Sequence, residues 1–103
     1  MGREIDKIAI SEKDFEGQIR DLSKLFGWKY YHTWRSLHSP AGFPDCVLTR
    51  EGRTIIAELK TDKRKSKLTP EQARWLWELR KTSNLEVFVW RPRHFEAIAE
   101  ILR

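Results

Sequence analysis

The sequence predicts an α/β fold with a mixed central β-sheet flanked by helices, in the order α-β-β-β-α-β-α. Three observations lead there. An amphipathic helical run precedes an aromatic, strand-like segment; Glu51-Gly52 joins two strand-like runs into a hairpin; and a capped helix separates that hairpin from a last apolar strand. A helix between the hairpin and a further strand implies a crossover, and hence a mixed sheet.

Residues 1–10 show no clear period and read as an N-terminal arm or an added edge strand. Ser11 then caps a helix whose Phe15, Ile19, Leu22 and Phe26 share one face, with Glu12 and Asp14 in its first turn and Gly27 at its end. The aromatic residues Trp28, Tyr30, Tyr31 and Trp34 give a strand over 28–34. Two prolines and Gly42 make 36–44 a loop that delivers the chain into a strand over 45–50. After the turn, the β-branched run 54–60 forms the partner strand. Polar and basic residues follow to Lys67. Thr69-Pro70-Glu71-Gln72 then reads as an N-cap, a first-turn proline and a capping-box glutamine, opening a helix to about Arg80 that carries Ala73, Leu76, Trp77 and Leu79. A strand over 86–90 comes next. Pro92 opens a final helix with Phe95, Ile98, Ala99 and Leu102 facing inward.

At 103 residues, with no internal repeat, linker or composition shift, the chain reads as one domain spanning 1–103. An apolar fraction of 40% supports a packed core and argues against a disordered chain. Twenty Lys and Arg against fifteen Asp and Glu leave a charge of +5, which favours a polyanionic partner; a solvated basic surface explains the same balance. Cys46 is the only cysteine, so an intrachain disulfide and a thiolate zinc cage within one chain are excluded, and an intracellular, cytoplasmic location fits best. No apolar run approaches a membrane span and the N-terminus lacks a signal-peptide pattern, so a soluble protein with no membrane partner is expected.

The hairpin brings chemistry together. With Glu51 and Gly52 at the centre of the turn, Arg50 faces Arg53, and counting back along both strands sets Asp45 opposite Glu58. Directly opposed residues project from the same face with Cβ atoms about 4.5–5.5 Å apart. Lys60 joins that face two residues on. Opposed carboxylates repel unless a proton, a lysine or a cation compensates. Hard oxygen donors without cysteine suit Mg2+, with the backbone carbonyl of Leu59 as a further ligand. A surface ion pair of Lys60 with both carboxylates is the plain alternative. It is weakened because Ile55, Ile56, Ala57 and Leu59 make the strand apolar around the charges.

Gly42-Phe43-Pro44-Asp45, Glu58-Leu59-Lys60 and Leu68-Thr69-Pro70-Glu71-Gln72 together resemble the VRR-NUC family of the PD-(D/E)xK nuclease superfamily, in its short stand-alone, phage-type form. The resemblance runs from about Ser11 into the last strand. It implies a restriction-endonuclease-like fold and a Mg2+- or Mn2+-dependent endonuclease, with substrates in related members ranging from DNA junctions and flaps to less defined duplexes. A phage-encoded member would work in the host cytoplasm.

By that resemblance Asp45 and Glu58 would hold the metal, Lys60 would position or activate the attacking water, Gln72 would support the site, and Glu16 would match the first-helix acid at the metal edge. A solvated helix carboxylate also explains Glu16, and a capping box accounts for Gln72 in full. The family's Ser-Pro before the glycine is present as Ser39-Pro40, and Gly42 suits a close backbone approach or a positive φ.

Lys63, Arg64, Lys65 and Lys67 directly follow the Glu58–Lys60 strand, in reach of phosphates flanking the cut; a solvated loop is the default reading of such a run. His38, in the loop entering Asp45, joins Ser39 as a candidate phosphate contact, though a plain loop histidine fits it as well. Trp34 and Trp75 are candidates for stacking on bases, and the spacing of Trp77 places it in the core. Cutting both strands calls for two sites, so a homodimer on DNA is expected. A non-catalytic nucleic-acid-binding module of the same fold is the competing reading.

Overall fold

A computed structural model describes residues 9–34 and 37–103. The N-terminal arm expected at 1–10 lies almost wholly outside them. Helix α1 (Glu12–Leu25) is followed by strands β1 (Lys29–His32), β2 (Cys46–Arg50) and β3 (Arg53–Leu59), helix α2 (Pro70–Arg80), strand β4 (Leu85–Trp90), a 3-10 turn (Pro92–His94) and helix α3 (Phe95–Leu102). The four strands lie side by side in chain order. β1 and β3 flank β2 as antiparallel partners, and β4 runs parallel to β3. The mixed sheet follows from the α2 crossover.

Local chemistry sets the boundaries. The Ser11 hydroxyl accepts from the Asp14 amide at 3.1 Å and starts α1. Gly27, at φ +79°, ends it, with the Trp28 amide donating back to the Ser23 carbonyl at 2.9 Å. Glu51 and Gly52 both have positive φ, as a two-residue hairpin turn of the inward-twisting kind requires, and Arg50 pairs with Arg53 as counted.

The aromatic strand is shorter than 28–34. Its ladder ends at His32, which faces Cys46, the first residue of β2; past that pair a single bond continues, from the Thr33 amide to the Asp45 carbonyl. The last helix also starts later than Pro92, after the 3-10 turn.

Strand alternation splits the interior into two faces. Phe15, Ile19, Trp28, Cys46, Leu48, Ile55, Ala57, Leu59, Trp90, Ile98 and Leu102 form one cluster, in which α1 and α3 cover one face of the sheet. Ile56 and Leu76 lie outside it, on the opposite face, where α2 lies against β4. Two expectations are corrected here. Trp77 is 64% exposed, because α2 buries only Leu76, and Phe95 stands partly in solvent while Ile98 and Leu102 carry the α3 contact.

Tryptophan and arginine lock the far end of the sheet. The Trp28 indole donates to the Leu102 carbonyl at 2.8 Å. The Arg50 guanidinium stacks on its ring at 4.5 Å and donates to the carbonyls of Phe26 and Leu102, each at 2.9 Å. Arg53, on the neighbouring strand, forms a two-pronged pair with Glu86 at 2.9 and 2.8 Å. Orphan carbonyls at two helix ends thus receive charged donors. No described helix is long and apolar enough to cross a membrane.

Candidate active site

The opposite end of the sheet gathers the charged groups. Asp45 immediately precedes β2, and the hairpin register, observed to Cys46 opposite Ala57, sets Asp45 opposite Glu58 one step further. The Asp45 backbone carbonyl accepts from the Thr33 amide at 2.7 Å, and its Oδ2 accepts from the Leu59 amide at 2.9 Å. These two bonds fix the carboxylate over the end of β3. Lys60 extends the strand, its amide donating to the Trp90 carbonyl at 2.9 Å.

Glu58 is 1% exposed. Its Oε2 lies 3.5 Å from Lys60 Nζ, and its buried Oε1 has no hydrogen-bond partner. Burial first, and the Asp45 charge second, push its pKa up to about 8, against the opposing pull of Lys60. An orphaned carboxylate oxygen in such a place costs free energy unless something else binds it. The residue types present fit a hard divalent cation: two carboxylates and neighbouring backbone, with no available thiolate, since Cys46 is buried and burial raises its pKa.

Glu16 does not join this pair. Its Oε2 accepts from the Tyr30 hydroxyl at 2.7 Å and its Oε1 from Arg20 at 3.2 Å, on the face covered by α1. Tyr30 is held protonated by burial and by that bond. Among the described residues, no three His, Cys, Asp or Glu side chains come together as a metal cluster. The Tyr30 partnership was not visible as a motif, although cross-strand pairing puts Tyr30 with Leu48, and with Cys46 two residues earlier, on the α1 side.

Gln72 is a cap. Its Oε1 accepts from the Thr69 amide at 2.9 Å while its own amide donates to the Thr69 hydroxyl at 3.1 Å. Gly42 shows both features expected of it: φ is +97°, and a Cβ there would sit 2.7 Å from the backbone carbon of Glu71. The loop before Asp45 therefore rests directly on the first turn of α2. Trp75 tightens this seat, donating to the Ala41 carbonyl at 3.1 Å and meeting Phe43 edge-on at 5.1 Å.

Lys63, Arg64, Lys65 and Lys67 are exposed on the loop after β3. That loop is anchored at its base: Arg91 donates to the Thr61 carbonyl at 2.6 Å, the Thr61 amide donates to Ser66 at 2.9 Å, and Arg93 lies 3.3 Å from Asp62. His38 is exposed, and Ser39 lines a cleft of about 1060 Å3 that also has Asp45 in its wall. Thr33, which holds Asp45, and the cleft residues Tyr31 and Leu37 carry no motif signal.

No protein-family model and no curated protein matches the sequence. Among solved structures, a VRR_NUC domain protein superposes with a TM-score of 0.69 at 20% sequence identity, over 90% of this chain and 86% of that one. The chain thus has a VRR-NUC-type, restriction-endonuclease-like fold, with Asp45, Glu58 and Lys60 gathered at one end of its mixed sheet.

Proposed function

We propose that this protein is a metal-dependent nuclease that hydrolyses phosphodiester bonds in DNA, with Asp45, Glu58 and Lys60 as its reacting set. The observation that carries this reading is the Glu58 carboxyl, buried beside Asp45 with one oxygen unpaired and Lys60 3.5 Å from the other. Charged groups held in so unfavourable a place serve a site more often than a fold.

Asp45 and Glu58 would hold Mg2+ or Mn2+, with the Leu59 carbonyl as a further oxygen. Magnesium is commonly held by one or two carboxylates plus water and phosphate, so a third carboxylate is not required. Glu16 would contribute only after leaving Tyr30 and Arg20. When bound, the cation draws charge from the phosphoryl oxygen and acidifies a water. The Leu59 amide keeps the Asp45 carboxylate aimed. Lys60 orients the attacking water and adds positive charge where negative charge develops. Lys63, Arg64, Lys65 and Lys67, with His38 and Ser39, hold the flanking phosphates. Gln72 supports the site from the α2 cap. Two copies acting as a homodimer would supply one site per strand.

Duplex, flap, single-stranded and four-way-junction DNA assayed with Mg2+, Mn2+ or chelator provide the test. Cleavage is expected with metal and not with chelator, and is lost in Asp45→Ala and Lys60→Ala proteins that keep their circular dichroism. Unchanged cleavage in either folded variant overturns the site assignment. Salt-sensitive binding with no metal-dependent product on any of these substrates would establish the non-catalytic binding module instead.

A further inference from the structure

One row of side chains runs across the charged end of the sheet. His32 faces Cys46 and Cys46 faces Ala57 in the two ladders, so the next step brings Thr33 opposite Asp45 and Asp45 opposite Glu58. The Thr33 amide closes that step on the β1 side, donating to the Asp45 carbonyl at 2.7 Å. Directly opposed residues share a face, with Cβ atoms about 4.5–5.5 Å apart. Thr33 therefore flanks Asp45 on one side as Glu58 does on the other. Thr33 and Asp45 also line the same cleft, of about 1060 Å3.

Four buried side-chain polar atoms lack a hydrogen-bond partner among the described residues: Thr33 Oγ1, Glu58 Oε1, Asp62 Oδ1 and Trp90 Nε1. Asp62 and Trp90 stand apart from the row. Asp62 Oδ1 still has the Arg93 guanidinium 3.3 Å away, and Trp90 belongs to the core cluster on the opposite face. Thr33 and Glu58 stand in one row with only Asp45 between them. An unpartnered buried hydroxyl is unfavourable, and valine would fill the same strand position without that cost. A hydroxyl there becomes favourable when a ligand bonds it, since it can donate once and accept twice. The neighbouring carboxylates suit a cation, and Mg2+ keeps several of its waters, whose protons need acceptors. A sheltered water needs two to four polar partners, which this row can supply.

We infer that Thr33 is a positioning residue of the metal centre, its hydroxyl accepting a hydrogen bond from a water in the hydration shell of the cation that Asp45 and Glu58 hold. The inference rests on the nuclease reading above and adds to that site a residue from a third strand. Its backbone already fixes Asp45 from the same place, so one residue sets both the Asp45 main chain and a water beside the Asp45 carboxylate. Groups that bond to a metal's ligands rather than to the metal typically change its affinity by about ten- to a hundredfold when removed. Lys60, 3.5 Å from Glu58, serves the β3 side of the pair, and Thr33 serves the β1 side, where the cleft opens.

The test reads metal binding apart from cleavage. Thr33→Val keeps the shape and removes the hydroxyl, whereas Thr33→Ser keeps the hydroxyl. Each protein is titrated with Mn2+ alone, without DNA, the free ion being read by electron paramagnetic resonance, and each is melted in chelator. The valine variant should bind Mn2+ about tenfold more weakly and need about tenfold more Mg2+ for half-maximal cleavage. The serine variant should stay close to the unsubstituted protein on both counts. In chelator the valine variant should melt no lower than the unsubstituted protein, because it loses only a hydroxyl without a partner. A purely structural hydroxyl would reverse that sign. Unchanged Mn2+ affinity in Thr33→Val, with binding abolished in Asp45→Ala, overturns the inference and leaves the nuclease reading standing. A valine variant that melts lower in chelator, or a serine variant as weak for Mn2+ as valine, also overturns it. An unsubstituted protein that neither binds Mn2+ nor cleaves DNA overturns the nuclease reading, and the inference with it.

Discussion

Glu58 makes the protein's stability depend on pH in a direction opposite to that of an ordinary salt-bridged carboxylate. Its pKa is near 8 when folded against an ordinary 4.5, so between those values the folded chain retains a proton that the unfolded chain has released. The contribution of this group is full below about 4.5 and is lost as the pH rises through about 8, at up to about 1.4 kcal/mol per pH unit. Without divalent metal, the unsubstituted protein should therefore lose more stability between pH 5 and pH 8 than Glu58→Gln, measured by urea unfolding; parallel curves for the two proteins would refute this. Added Mg2+ should raise stability most at the alkaline end, where the proton no longer competes for the site. Glu86 works the other way. Arg53 holds its carboxyl below the ordinary range, so that contribution is present at neutral pH and lost as the pH falls through the lowered value.

Helix α2 starts where it does because of two side chains, and that start supports the loop before Asp45. Thr69→Ala removes the acceptor for the Gln72 amide and should cost about 1 kcal/mol in a denaturant titration. Gln72→Glu can close the same box and should keep both stability and cleavage near the unsubstituted values. A large loss of cleavage in that folded variant would give Gln72 a direct part in the chemistry. This capping box was legible from four consecutive residues, as were the Ser11 cap and the Glu51-Gly52 turn, because each signal acts through neighbouring backbone groups. The opposition of Asp45 and Glu58 was legible for a related reason: a two-residue turn transmits its register along both strands. Trp77 was misplaced because helical spacing records which residues share a stripe and not how wide a strip the sheet covers. The Glu16–Tyr30 bond and the end of β1 depend on contacts between separate elements, which no local pattern encodes.

At the scale of the molecule, charge is distributed by location more than by amount. The net +5 is modest, yet four cations lie on one anchored loop beside the acidic pair. DNA affinity should fall linearly with the logarithm of salt concentration, and Lys65→Ala should reduce that slope by about one, read from titrations at several salt concentrations. An unchanged slope would remove Lys65 from the phosphate contacts. The same end of the molecule has a mechanical property. Gly42 lies against the Glu71 and Gln72 backbone, Trp75 grips the Ala41 carbonyl, and Phe43 abuts Trp75, only two residues before Asp45. Loop and helix are thereby one rigid piece, with Trp77 and the other exposed side chains of α2 on its outer arm and the Asp45 carboxylate near its fulcrum. Whatever seats against that arm works a lever whose short end is Asp45.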